Sequence, residues 1–315
     1  MNLNKSSNSS DILKSLVGFI ISLACLYLVY QSFSWKQFLT EIKNVNYFYL
    51  LLSVICLFIT IIIRGLRWKK LFTTANINAF DLSKAELIGF WGNSILPLRL
   101  GELVRLHYAK KITHQKYSTV IGTIIIERMI DMILIMPFLF VFYYFFPMDL
   151  INSKINFLII LFILLTLFLI LIRYFLSSFK RNLLEKVDKN LIKNLFLRRN
   201  TILFLSFLIW GLVFVDVYLV QLSMDLKLSV IECLSIMIIA TIVYSVPSSP
   251  GTIGTFHLAI QEFMVSFLDQ SIHVSQVFAF ILHAHSYLFF IIVGTLYFLL
   301  DSKNIISFKE ADEVH

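Results

Sequence analysis

Apolar residues in this chain gather into long runs, and six of them approach or exceed the roughly 20 residues that a helix needs to cross the hydrocarbon of a bilayer. The runs are 13–32, 47–63, 118–146, 156–176, 200–222 and 274–300. The second is short unless its basic end reaches up to the interface, and the third is long enough to tilt or bend. Two other stretches, 81–115 and 230–268, are moderately apolar but broken near the middle. The breaks are Leu96-Pro97-Leu98-Arg99-Leu100-Gly101 and Val246-Pro247-Ser248-Ser249-Pro250-Gly251. Irregular backbone survives at membrane depth only where protein or a wet cavity surrounds it. Both stretches are therefore read as re-entrant helical hairpins; two extra full spans in each would be the other solution, at the cost of short helices.

The predicted fold is an all-α polytopic membrane protein of about six spans and two re-entrant hairpins. The order of elements repeats. Two spans, a hairpin and one span fill 13–147, and the same order fills 156–300, between a disordered cytoplasmic tail at 1–12 and another tail at 301–315. Three crossings per half is an odd number, so the second half is expected to enter the membrane inverted. Residues 97–109 (PLRLGELVRLHYA) and 247–259 (PSSPGTIGTFHLA) match at Pro97/Pro247, Gly101/Gly251, His107/His257 and Ala109/Ala259. Paired Pro/Gly-broken segments in two halves point to a transporter's binding site.

Basic residues set the orientation. Of the 27 Lys and Arg, 21 fall in the tails, in 64–117 and in 177–199, counting Lys14 at the very start of the first run with its tail, whereas the loops on the other side hold only Lys36, Lys43, Lys154 and Lys227. By the positive-inside rule both termini are cytoplasmic, in a multi-pass protein of the cell (inner) membrane. Composition agrees: 58% of residues are apolar, 15% charged, and mean hydropathy is +0.83, which a soluble domain of 315 residues could not cover with polar surface. The net charge of +8 lies between apolar runs, which fits anionic lipid headgroups and not nucleic acid. Cys25, Cys56 and Cys233 each sit inside an apolar run without metal-ligand spacing.

Ionisable groups inside spans are costly and normally face partners or water. Four clusters follow from that. Arg64 and Arg67, three apart on one helix face, either anchor the second span at the interface or clamp a phosphate with their planar forks. Around the first break lie Asn93, Arg99, Glu102, Arg105 and His107, with Glu102 and Arg105 spaced to pair and Arg99 left free at the bend. Glu127, Arg128 and Asp131 sit within one turn of the third span, where a structural ion network is expected and Arg128 can pair with Asp131. Around the second break, Ser248, Ser249, Gly251, Thr252 and Gly254 surround Pro250. Ser249-Pro250 reads as an N-cap and first helical residue that aims open N–H groups into the membrane, attractive to an anion. A hinge or a tight helix contact would explain the same residues. Asp216, Glu232, Glu262, His257, His283 and His285 are read as separate packing groups, and the spacing of His283 and His285 argues against a metal pair. No P-loop, nucleophile elbow, zinc-protease motif or dinucleotide fingerprint occurs; no catalytic residue, metal or cofactor is expected.

The segments RGLRWKKLF (64–72), NSILPLRLGELVRLHYAKK (93–111), ERMIDMILI (127–135) and PSSPGTIGTFHLAI (247–260) resemble, in order and spacing, the lysylphosphatidylglycerol synthase transmembrane-domain family. The family is also known as flippase-like or uncharacterised membrane protein family 0104. The second-half motif has Gly-Thr where Gly-Gly is common, and His257 is a further departure. The resemblance implies a domain that moves or presents lipids between leaflets: anionic phospholipids, polyprenyl-phosphate-linked lipids or hopanoids. The chain runs to His315 without a cytosolic aminoacyl-transferase module, so aminoacyl transfer is not expected. The leading expectation is a lipid flippase or translocase that receives a phosphate headgroup on Arg64, Arg67, Arg99 and Arg105 and at Ser249–Gly254. The rivals are an integral-membrane transferase with Glu102, Asp131 or His107 as base, and a non-catalytic partner of a lipid-modifying synthase or glycosyltransferase.

Overall fold

A computed structural model describes residues 6–31, 33–72, 76–145, 189–245 and 249–306. The expected span at 156–176, residue Ser248 and the ends of both tails lie outside these residues. All regular structure among the described residues is helical. In chain order it comprises α1 (Ser6–Tyr30), α2 (Trp35–Lys43), α3 (Tyr47–Leu71), α4 (Ala79–Ile95), a 3-10 turn (Pro97–Arg99), α5 (Gly101–Thr113) and α6 (Tyr117–Phe145). Then follow α7 (Lys189–Leu197), α8 (Arg199–Ser223), α9 (Val230–Ser245), a second 3-10 turn (Pro250–Thr252), α10 (Thr255–Leu268) and α11 (Ile272–Ile306).

Local chemistry sets the boundaries. Asn46 and Asn78 cap α3 and α4, their side-chain oxygens accepting from the N–H groups of Phe48 and Phe80 at 3.1 Å. His114 and Asp269 close α5 and α10 in the left-handed conformation. Hydroxyls inside the helices bond back to a carbonyl four residues earlier, as Thr60 does to Cys56 and Ser206 to Ile202, which satisfies them where water is scarce. Three helical stretches, Tyr47–Leu71, Arg199–Ser223 and Ile272–Ser302, are long and apolar enough to cross a bilayer; α1 and α2, bent by 84°, together make a fourth candidate.

Two departures from the sequence reading are local. The helix expected to stop near residue 63 continues to Leu71, because Arg67 and Trp68 are buried and bonded instead of marking an interface. The short amphipathic helices α2 and α7, nine residues each, fall where loops were expected.

Among the described residues the helices after α1 fall into two sets, α2–α6 and α7–α11, that correspond one to one. A nine-residue helix (α2, α7) leads to a 25-residue helix (α3, α8). Next come a helix of 17 or 16 residues (α4, α9), a Pro-started 3-10 turn, a helix of 13 or 14 (α5, α10) and a long helix (α6, α11). The contacts obey the same correspondence: α4 packs on α11 as α9 packs on α6, and α3 packs on α8. The last pair is antiparallel, since the Asn46 N–H donates to the Ser223 carbonyl at 2.8 Å while Arg67 meets Ser206 further along. Helices α4 and α5 fold against each other with Gly92 on Gly101, where a Cβ on either glycine would run into the other helix. The two 3-10 turns touch. In register the equivalent prolines are Pro97 and Pro250, each two residues before a left-handed residue, Arg99 and Thr252, both at φ 58°. The letter match of Pro97 with Pro247 is therefore three residues off the structural one.

A large apolar core lies in the second set, around Ile236, Met237, Phe256, Met264 and Phe278. A smaller one surrounds Trp68, Leu82, Ile88 and Tyr108. The polar network described next is set between α3, α4, α5 and α6, beside this smaller core.

Candidate functional site

Four arginines and four carboxylates interlock where α3, α4, α5 and α6 meet. Arg67, 1% exposed, places its fork on Asp131 at 2.5 and 3.1 Å, reaches Glu127 at 3.4 Å and donates to the Ser206 hydroxyl at 3.1 Å. Arg105, 2% exposed, donates to Glu86 and Glu127, each at 2.5 Å, and lies 3.6 Å from Glu102. Its guanidinium carbon stands 3.9 Å over the Trp68 ring, whose indole N–H is held by the Thr123 hydroxyl at 2.8 Å. Arg128 donates to Glu102 at 2.7 Å. Arg64 lies 4.0 Å from Asp131 and 5.6 Å over the Phe90 ring. Buried charges persist only when paired and hydrogen-bonded, and here positive and negative groups match in number.

The arrangement merges two groups that the sequence separated. Arg67 and Arg105 share Glu127 with the expected ion network, so a phosphate could reach either only by displacing a carboxylate. Arg128 pairs with Glu102 and not with Asp131, whose partner is Arg67. Glu86 was missed: it is 2% exposed and is the one carboxylate that α4 lends to the network. Its signal was available, an acid inside the moderately apolar 81–115 stretch, but its nearest charge in sequence, Lys84, pairs with Asp81 and not with Glu86.

Arg99 stands apart. It is half-buried at the first tip, with Glu102 and Arg128 as its charged neighbours, and it has no ion-pair partner among the described residues. Nearby Asn93 keeps its side-chain oxygen buried without a hydrogen bond among them. A non-glycine residue at positive φ costs about 1 kcal/mol or more, and both tips carry one.

The second tip is built differently from the sequence reading. Helix α10 starts at Thr255, with Gly254 before it, and not at Pro250. Ser249 makes no cap: its hydroxyl donates to the Ile253 carbonyl at 2.9 Å, and its N–H donates to Ser22 of α1 at 3.3 Å. Gly251, Thr252 and Gly254 have φ of 65°, 58° and 93°, conformations for which the two glycines are suited. A Cβ on Gly251 would strike the Tyr287 ring and come within 3.5 Å of the Ser94 carbonyl of α4. Ser94 belongs to the first set of helices, so the two broken segments are in contact through this turn.

Of the lone polar groups, two form a pair. His285 of α11 lies 2.9 Å from Asp216 of α8. The neighbouring His283 bonds the Gly251 carbonyl at 2.8 Å and packs on the His257 ring, with centroids 4.8 Å apart. Glu232 and Ser229 cap α9 reciprocally, at 2.6 and 3.3 Å. His107 contacts Tyr117 at 2.8 Å. Among the described residues no three His, Cys, Asp or Glu side chains are grouped as metal ligands would be.

A family model described as "Lysylphosphatidylglycerol synthase TM region" matches residues 15–294. A UPF0104 membrane protein of Methanocaldococcus jannaschii is 27% identical over 226 residues, which is 68% of this chain and 95% of that protein. No solved structure matches the chain.

Proposed function

The chain belongs to the lysylphosphatidylglycerol synthase transmembrane-region family, and on that premise we propose that it moves an anionic lipid between leaflets. The lipid is a phospholipid or a polyprenyl-phosphate-linked species, in the cell membrane, with both termini cytoplasmic. The two broken segments are re-entrant hairpins of inverted halves; the antiparallel run of α3 against α8 and the element-by-element correspondence support that reading. The carrying observation is the contact between the two 3-10 turns, with Arg99 as the cation left over from a charge-matched network. Guanidinium groups suit phosphate because of their planar fork, and the head of α10 adds N–H groups at the opposing tip. Arg67, Arg105, Glu86, Glu127 and Asp131 then serve as the rigid frame that fixes α3, α5 and α6 around the first tip. Arg64 and Arg128, at the rim of the frame, are the next groups that a headgroup would meet.

Reconstituted vesicles with fluorescent phosphatidylglycerol and a labelled polyprenyl phosphate test this. A charge-assisted contact contributes about 1.5–3 kcal/mol, so Arg99→Ala should slow lipid exchange on the order of 10- to 100-fold, with unchanged expression and elution profile. Exchange at the wild-type rate in that variant would remove Arg99 from the site. Turnover of a labelled glycosyl donor by purified protein, without exchange, would replace the reading with the transferase one.

A further inference from the structure

In each set of helices a charged pair ties the 25-residue helix to the long last helix, and the two pairs occupy corresponding places. Arg64 is the eighteenth residue of α3 and Asp216 the eighteenth of α8. Their partners, Asp131 and His285, are the fifteenth of α6 and the fourteenth of α11. The signs are exchanged. In the first set the cation is on the 25-residue helix and the acid on the long one, with Arg64 4.0 Å and Arg67 2.5 Å from Asp131. In the second, the acid is on the 25-residue helix and the imidazole on the long one, 2.9 Å apart, with side chains 10% and 5% exposed. The chemical difference between the two is decisive. An arginine clasp keeps its charge at every physiological pH, whereas an imidazole is the one side chain whose ordinary titration falls there.

From this we infer that His285 and Asp216 form a proton-binding site that couples lipid movement to protons, an inference that rests on the translocase reading. With a proton on His285 the pair is an imidazolium–carboxylate ion pair, and α11 is held against α8. When the proton leaves, the imidazole is neutral, Asp216 is a buried anion without its cation, and the contact weakens. The site is wired to the second tip through one helix turn: His283, two residues away on α11, holds the Gly251 carbonyl. Among the described residues the surroundings contain few other charges. Cys56 of α3 and Tyr244 of α9 are in electrostatic range of Asp216, and His257 of α10 touches His283. Helix α4 offers Trp91 and Ser94 to α11, α2 offers Phe38, and Tyr108 of α5 bonds Tyr297 and Asp301 nearer the end of α11. The fixed Arg–carboxylate clasp lies toward the Arg64–Lys70 end of α3. The titratable one lies further along α8, past Ser206, so the two helix sets differ in which of them a proton can release.

The experiment uses full-length protein in vesicles carrying a fluorescent anionic lipid, with a pH gradient imposed across the membrane. One pH unit is a tenfold proton ratio, so one proton per lipid should bias the leaflet distribution by up to about tenfold. His285→Gln and Asp216→Asn should each lose this bias while keeping exchange in the absence of a gradient. A wild-type protein indifferent to the gradient, or an H285Q variant that follows it as wild type does, would overturn the proton site. Should wild type move no lipid at all, the translocase reading falls. The site is then decided by infrared spectroscopy between pH 5 and 8: a carboxylate band shift present in wild type and lost in H285Q supports it, and its absence in wild type sinks it.

Discussion

Replacing Arg67 with methionine isolates the energetics of the buried network. The side chain is 1% exposed and makes three contacts to carboxylates and one to Ser206. Methionine fills similar volume, so cavity formation is small and the effect is electrostatic. Glu127 keeps Arg105 at 2.5 Å, but Asp131 is left with only Arg64 at 4.0 Å. One carboxylate thus becomes uncompensated, which costs about 3–5 kcal/mol in buried pairs. Replacing Asp131 as well, in Arg67→Met/Asp131→Leu, removes both charges. The double variant should then be destabilised by less than the single one, by about 1–2 kcal/mol, because an apolar pair of like volume can substitute for an ion pair. Unfolding in mixed micelles titrated with sodium dodecyl sulfate measures both. A single variant within 1 kcal/mol of wild type, or a double variant at the sum of the two single ones, would refute the claim that this cluster is a closed, charge-balanced frame.

Other consequences are more local. Gly101→Ala should cost about 1–3 kcal/mol in the same unfolding assay, since its Cβ would press on backbone atoms of Gly89 and Asn93 in α4. Trp68→Phe removes the hydrogen bond to Thr123 and the strongest ring beneath Arg105; about 1–2 kcal/mol is expected. Arg99→Gly relieves a left-handed residue and should raise stability by about 1 kcal/mol while slowing lipid exchange on the order of 10- to 100-fold, as Arg99→Ala should. That opposition of stability and activity separates a functional tip from a structural one.

The sequence made the long helices among the described residues, both breaks and the charged clusters legible, because each is announced by neighbours in the chain. Runs of apolar residues predict α3, α6, α8 and α11 to within a few residues, save where α3 continues past Arg64. That end was unreadable because a basic run in sequence looks the same whether it faces headgroups or, as Arg67 does, three internal carboxylate contacts. The network itself could be only half seen. Glu127, Arg128 and Asp131 stand together, whereas Glu86 is a single acid whose partner Arg105 comes 19 residues later across a hairpin. The partnership of Asp216 with His285 spans 69 residues, which no local pattern reports.

Register shows the same limit from another side. Identical letters put Pro97 opposite Pro247, but the fold puts it opposite Pro250, because backbone conformation, not residue identity, is what the two tips share. Leu98 and Arg99 in one turn stand where Gly251 and Thr252 stand in the other, and the left-handed residue recurs at the third position of both. The charges follow this structural register too, with cation and acid exchanged between Arg64–Asp131 and Asp216–His285. A duplicated scaffold needs one clasp per half at that level, and either sign satisfies the burial requirement. Once the signs are exchanged, the cation on the long helix is free to be histidine. Burial fixes that a pair must exist there; only the choice of imidazole over guanidinium makes one of the two pairs responsive to protons.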